Sequence, residues 1–312
     1  MSALIEVILP VFMVMGFGYL VVSLRLFGHD AVEALMRFAQ SFAVPVLLFR
    51  GVARLDLADV FDPHLLLSFY LGVFAGFSLG ALGARVLFKR SLADCVAIGF
   101  CCAFSNTLLL GLPITERAYG AGALAGNYAI ISLHAPLIYG LGIAVMEMVR
   151  HSGQGLALRQ IARKIFSGII TNPLVIGIAL GFVVNLLGVP LPAPIWAAVD
   201  MMALAAIPAA LFGLGGVLVR YRPEGDLRAA FMVAVISLIC HPTITWVLGT
   251  QVFALTTAQL RSAVVTAAMA PGVNAYLFAN MYGSARRVAA SSVLLATALS
   301  ILTAWFWLSI LP

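Results

Sequence analysis

The chain repeats itself across its middle, and that repetition restricts its fold more than any single motif. Ala43-Val44-Pro45-Val46-Leu47-Leu48-Phe49 returns as Ala206-Ile207-Pro208-Ala209-Ala210-Leu211-Phe212, 163 positions later (208 − 45). The same offset carries Pro10 to Pro173 and Gly18 to Gly181, and a shift of 168 (274 − 106) carries Ser105-Asn106-Thr107 to Val273-Asn274-Ala275. Both halves are mostly apolar. The 312 residues are 63% hydrophobic and only 10% charged, against roughly 25% charged in ordinary soluble domains. Duplicated apolar halves are how many secondary transporters are built, around interrupted helices that meet at the bilayer midplane.

Runs of about 20 apolar residues, long enough to cross a bilayer, predict ten spans. They lie at 3–24, 33–53, 64–86, 93–115, 122–148, 167–187, 195–219, 228–249, 259–281 and 285–311. The first carries Glu6 and Pro10 and has no basic leader, so it reads as a span and not a signal peptide. The longest connection, 150–165, sets Leu158, Ile161 and Ile165 opposite Arg159, Arg163 and Lys164, the pattern of a basic amphipathic helix on a bilayer surface. It divides a first five-helix repeat (1–149) from a second (166–312) within one membrane domain.

Counting Lys and Arg on alternate sides gives 14 against 4, which makes the richer side cytoplasmic and puts both termini outside. Five spans per half is odd, so the second half enters the membrane inverted. The expected fold is an all-α polytopic membrane protein with an inverted 5+5 repeat, its fourth and ninth helices interrupted and crossing. The net charge of +6 sits in short loops and is explained by topology, with no nucleic-acid partner implied. Four cysteines in apolar runs lack metal-ligand spacing and read as free thiols.

Breaks in the fourth and ninth spans are the candidate chemistry. The fourth reads Ser105-Asn106-Thr107 followed by Gly111-Leu112-Pro113; the ninth reads Pro271-Gly272-Val273-Asn274-Ala275-Tyr276. Proline removes a backbone donor and glycine permits unusual dihedrals, and the fourth span can break at either of its two segments. Two half-helix N-termini facing one small volume would suit an anion. Asn106 and Asn274 would add neutral donors there, flanked by Ser105, Thr107, Pro271, Gly272, Val273 and Tyr276. Two helix ends at about 0.3–2 kcal/mol each and charge-assisted hydrogen bonds at about 1.5–3 each leave, after desolvation, weak binding suited to turnover. The bland alternative is that these residues only kink and pack helices.

Pro45, Pro208 and Pro113 read as helix kinks, and Gln40 lies one turn before Pro45, where it could line a cavity. His134, mid-span before Ala135-Pro136, is either a proton carrier or a neutral hydrogen bonder between helices. His241-Pro242 has no repeat partner and reads as packing. Glu6, Asp200 and Glu147 read as interfacial, and Arg50 can snorkel. No glycine-rich phosphate loop, GxSxG or HExxH occurs, so no enzyme is indicated, and no cofactor or metal.

Five segments in order resemble one known family. They are Ile8-Leu9-Pro10-Val11-Phe12 with Gly16-Phe17-Gly18-Tyr19, the run from Phe42 to Phe49, Ser105 through Pro113, Thr171-Asn172-Pro173-Leu174, and Pro271 through Tyr276. Together they are similar to the auxin efflux carrier family, which includes bacterial malonate-type permeases and plant PIN carriers. The resemblance implies a secondary transporter of a small organic anion in the cytoplasmic (inner) membrane, working by elevator-type movement. Spans 1, 2, 6 and 7 would form a scaffold and spans 3–5 and 8–10 the moving bundle, with Asn106 and Asn274 at the crossing and Pro271 at the break. The long hydrophilic loop of plant members is absent, and auxin is not implied as substrate.

A small carboxylate such as malonate and membrane lipid are the expected partners, with a homodimer as the assembly to test. A sodium- or proton-coupled symporter of the bile-acid type is the nearest rival, and a membrane sensor that binds without transporting is the rival of another class.

Overall fold

The computed structural model describes residues 3–55, 61–150, 163, 166–167, 170–221 and 226–312. Within them the helices in chain order are α1 (Leu9–Ser23), α2 (His29–Ala53), α3 (Pro63–Val86), α4 (Leu92–Ala103), α5 (Leu112–Tyr119) and α6 (Ala125–Arg150). There follow α7 (Pro173–Leu186), α8 (Ala193–Leu218), α9 (Leu227–Val252), α10 (Thr257–Ala267), α11 (Val273–Tyr282) and α12 (Arg286–Ile310). Seven helical stretches are long and apolar enough to cross a membrane: Ile5–Ser23, α2, α3, α6, α8, α9 and α12. The chain is an all-helical, multi-pass membrane protein. The basic amphipathic segment expected at 150–165 lies, Arg150 and Arg163 apart, outside the described residues.

Four prolines inside these helices share one local solution. Pro10, Pro45, Pro113 and Pro242 each stand second in an α-segment that directly follows a π-helical turn (Ala3–Ile8, Ala39–Ala43, Thr107–Gly111 and Ile236–Cys240). A helical proline donates no N–H and crowds the carbonyl four residues earlier. Widening the preceding turn relieves that crowding, so each proline is absorbed by a π-bulge. At Pro242 the carbonyl four residues back, Leu238 O, accepts the Trp307 indole N–H at 2.9 Å. Pro136 and Pro208 sit inside α6 and α8.

The chain forms two compact units, and neither is a sequence half. One comprises Leu9–Val60 and Phe166–Arg220, hence α1, α2, α7 and α8. Its close approaches are made at glycine. A Cβ on Gly18 would fall 2.1 Å from Phe212 O, and one on Gly181 would fall 2.9 Å from Phe49 O. These contacts are reciprocal under the sequence offset, since 181 − 18 and 212 − 49 are both 163. Small residues let helix backbones meet where lipid offers no hydrophobic drive for association. Arg54 grips Asp200 through two nitrogens at 3.0 and 3.1 Å and lies 4.2 Å over the Trp196 ring. Arg50 stands 3.5 Å from the same carboxylate, so Asp200, read as interfacial, and Arg50, read as snorkelling, form one cluster with Arg54.

The other unit comprises Met1–Ile8, Phe61–Ile165 and Tyr221–Pro312. It holds α3–α6 and α9–α12, with the turn Ala3–Ile8 fastened to it by Arg117, whose Nε–H donates to Val7 O at 3.2 Å. Glycines again set the spacing: a Cβ on Gly80 would lie 2.5 Å from Cys102 Sγ. The four cysteines are free, Cys240 half-buried and the others buried. Glu147, read as interfacial, is buried and accepts the Tyr282 O–H at 3.4 Å.

Candidate anion site at the helix crossing

Two helical runs of this second unit stop short and resume. The run of α4 ends at Ala103 and resumes at Thr107; that of α10 ends at Ala267 and resumes at Val273. Of the two breaks possible in the fourth span, the chain uses the one at Phe104–Asn106, while Gly111–Pro113 continues the helix through the π-helical turn. The two extended segments pair as an antiparallel bridge, Ser105 opposite Pro271. Asn106 N–H donates to Ala270 O at 2.8 Å and Gly272 N–H donates to Phe104 O at 2.9 Å. Unwound backbone at membrane depth must be satisfied inside the protein, and here each break satisfies the other.

The resumed helices bring their N-termini to this bridge. Asn106 caps the first: its Oδ1 accepts Leu109 N–H at 3.2 Å. Gly272 stands at the cap of α11 with no side-chain bond, leaving the first-turn N–H groups of Val273 and Asn274 to other partners, as helix starts do. Asn274 Oδ1 accepts the Tyr139 O–H at 3.4 Å. Each asparagine carbonyl oxygen therefore already accepts one bond from a protein donor, which orients its amide. Neither NH2 group donates in any bond described, so the crossing presents donors and two positive dipole ends.

Around the bridge, Ser105 is buried with its Oγ 3.4 Å from His241 Nδ1. Thr107 is buried and gives its N–H to Ser105 O at 2.8 Å. Pro271 and Gly272 are buried, Val273 and Tyr276 half-buried, and the Tyr276 ring rests on Tyr221 at 4.8 Å between centroids. His134 of α6 is buried, its ring 4.9 Å from that of Phe104. Gln40, Pro45 and Pro208 belong to the other compact unit.

Three contributors were not singled out in the sequence. Asn127, fully buried at the start of α6, donates through Nδ2 to Thr115 Oγ1 at 3.0 Å and Thr266 Oγ1 at 2.9 Å. It thereby ties α5 to α10 across the crossing. Tyr139 orients Asn274, and Phe100 stacks on Phe278 at 3.9 Å beneath it. A polar residue within an apolar run marked Asn127, but only the crossing makes its two partners neighbours. Among the described residues no group of three or more His, Cys, Asp or Glu is placed to hold a metal ion.

The model of a family described as "Membrane transport protein" matches residues 3–308. This chain belongs to that family. It is the auxin efflux carrier family whose motifs the sequence carries, a family of membrane transporters and not of enzymes. The chain is 24% identical over 306 residues to a Rhizobium meliloti (strain 1021) protein named "Putative malonate transporter", covering 97% of this chain and 94% of the relative. It is 21% identical over 305 residues to "Uncharacterized transporter YfdV" of Escherichia coli (strain K12), covering 96% and 95%. The transporter family and the seven long apolar helices agree on a multi-pass membrane carrier.

Proposed function

We propose that this member of the auxin efflux carrier family carries a small organic anion of the malonate class, bound at the helix crossing. The single observation that supports this most is that both asparagine carbonyl oxygens accept protein donors, which turns the two amides as donors at the crossing. A site whose remaining groups are amide NH2 and helix N-termini favours a carboxylate over a cation. With no Lys or Arg among the contacts described for the crossing, binding stays weak enough for release. The name of the Rhizobium meliloti relative points to the same solute class.

In this reading the ten predicted spans form an inverted 5+5 repeat in the cytoplasmic (inner) membrane, with both termini outside. The reciprocal contacts Gly18–Phe212 and Gly181–Phe49 support the internal two-fold relation. Elevator-type alternating access is the mechanism proposed, with α1, α2, α7 and α8 as scaffold and the crossing carried by the other unit. A homodimer is the assembly proposed for the scaffold. The test is uptake of labelled malonate into liposomes holding the purified protein. Asn106→Ala with Asn274→Ala should abolish it while the protein stays folded. Unchanged flux in the double variant would refute the site, and saturable binding without flux would favour a sensor.

A further inference from the structure

The helix α9 carries a polar stripe that the anion site does not use. Ser237, His241 and Thr245 are spaced by four, so they share one face, and all three are at most 1% exposed. Buried serine and threonine in a helix usually bond back to the carbonyl three or four residues earlier. Elsewhere on α9 even less buried threonines do: the exposed Thr243 Oγ1 donates to Ile239 O at 2.6 Å and the half-buried Thr250 Oγ1 to Trp246 O at 2.8 Å. Ser237 Oγ and Thr245 Oγ1 have no partner, and neither does His241 Nε2. Across Phe69, both ring nitrogens of the buried His134 are unpartnered as well. Phe69 stands between the two imidazoles, 5.1 Å from His241 and 5.7 Å from His134 by ring centroids.

Five unpartnered polar atoms in one buried region are far from what a packed interior tolerates, and such groups call for water or an ion. Ser237 lies in a π-helical turn (Ile236–Cys240) and His241 directly follows it, a distortion common at functional positions. It reaches the crossing directly through His241 Nδ1 and Ser105 Oγ. Helix α3 makes room for it at Gly72, where a Cβ would come within 2.7 Å of both His241 Cδ2 and Thr245 Oγ1.

We propose that His241 and His134, served by water bonded to Ser237 and Thr245, form a proton-binding site that is loaded together with the anion. This rests on the reading of the crossing as a carboxylate site. A proton enters from water onto an imidazole nitrogen and returns to water on the other side of the membrane, with no bond made to the anion. Its charge offsets that of a carboxylate moving through a low-dielectric region, where an uncompensated charge is costly. Two imidazolium charges flanking one ring would repel, so the pair holds one proton. The groups facing the imidazoles are Phe69, Tyr70 and Gly72 of α3 and Phe104 and Ser105 of the crossing. Of these only Tyr70 titrates, and its O–H is committed to Ile130 O at 2.8 Å. No Asp, Glu, Lys or Arg is among the contacts described for either ring.

Two measurements test this. In proteoliposomes with an imposed proton gradient, malonate should accumulate about tenfold per pH unit if one proton travels with it. His134→Gln with His241→Gln should abolish that accumulation and, because the anion then crosses without its compensating proton, slow malonate–malonate exchange, while labelled malonate still binds the purified, folded variant. Gradient-driven accumulation that persists in the double variant, or wild-type flux indifferent to the gradient, overturns the proposal. Loss of exchange in wild type would instead sink the carboxylate reading, and the second measurement separates the two. Imidazole nitrogen NMR in nanodiscs, titrated over about pH 5–8, should show His134 and His241 exchanging protons with solvent. Signals for both that never move with pH, with or without malonate, overturn the proton site.

Discussion

Asn106→Asp isolates charge from shape at the crossing. The substitution is isosteric, and Asp caps a helix as well as Asn does, so the bond from Leu109 N–H at 3.2 Å survives. What changes is the other end of the side chain, where an NH2 donor becomes a carboxylate oxygen. Losing a charge-assisted hydrogen bond removes about 1.5–3 kcal/mol. Placing a like charge about 5 Å from a bound carboxylate adds about 3 kcal/mol of repulsion at an effective dielectric near 20. The sum, about 5 kcal/mol, weakens binding by about a few thousandfold. The assay is equilibrium binding of labelled malonate to the purified variant, with thermal unfolding as the control for fold. Asn106→Ala should lose the donor and the cap but gain no repulsion, and so fall between. If Asn106→Asp bound malonate within about tenfold of wild type while folding normally, the anion reading of the crossing would be wrong.

Further outcomes follow from other contacts. Asn127→Ala removes two buried hydrogen bonds between α6 and the broken helices and should cost about 1–3 kcal/mol, read as a lower unfolding midpoint in detergent. Gly18→Ala and Gly181→Ala should both lower the midpoint, by about 1–3 kcal/mol each, because each new methyl meets a backbone carbonyl. Gly16→Ala, with open space at its Cβ, should be neutral. Asp62, at the cap of α3 and outside the spans, accepts His64 N–H at 2.7 Å and the Gln259 amide at 2.8 Å. Partial burial pushes its carboxyl up, but these bonds outweigh that and hold it below its ordinary 3.8. A depressed value means the contribution is present above the ordinary carboxylate range and lost as pH falls through the folded value. Asp62→Asn should therefore lower the neutral plateau of the stability–pH curve and flatten its acid limb.

Much of the architecture was legible in the residues because lipid imposes length and polarity on every span. The predicted spans at 64–86, 195–219 and 285–311 fall within two residues of α3, α8 and α12 at each end. The broken helices were legible too, since Pro271-Gly272 and Ser105-Asn106 disrupt otherwise apolar runs. The choice between two breaks in the fourth span was not legible. Pro113 is as strong a breaker as anything at 104–106, but a π-helical turn absorbs it, and whether a turn can widen depends on what packs beside it. His241 read as packing for a related reason: its neighbours Ser105, Phe69 and Gly72 are more than 130 positions away in sequence.

The residues alone determined a helical, membrane-embedded chain with two weak points in otherwise apolar runs, because hydropathy and breaker chemistry act locally along the backbone. Only the tertiary structure decided that the weak points pair backbone to backbone, that both asparagine oxygens accept protein donors, and that α9 holds a row of unmet polar atoms. Those are properties of distance between segments far apart in the chain, and local patterning carries no record of which carbonyl or hydroxyl a given donor will meet.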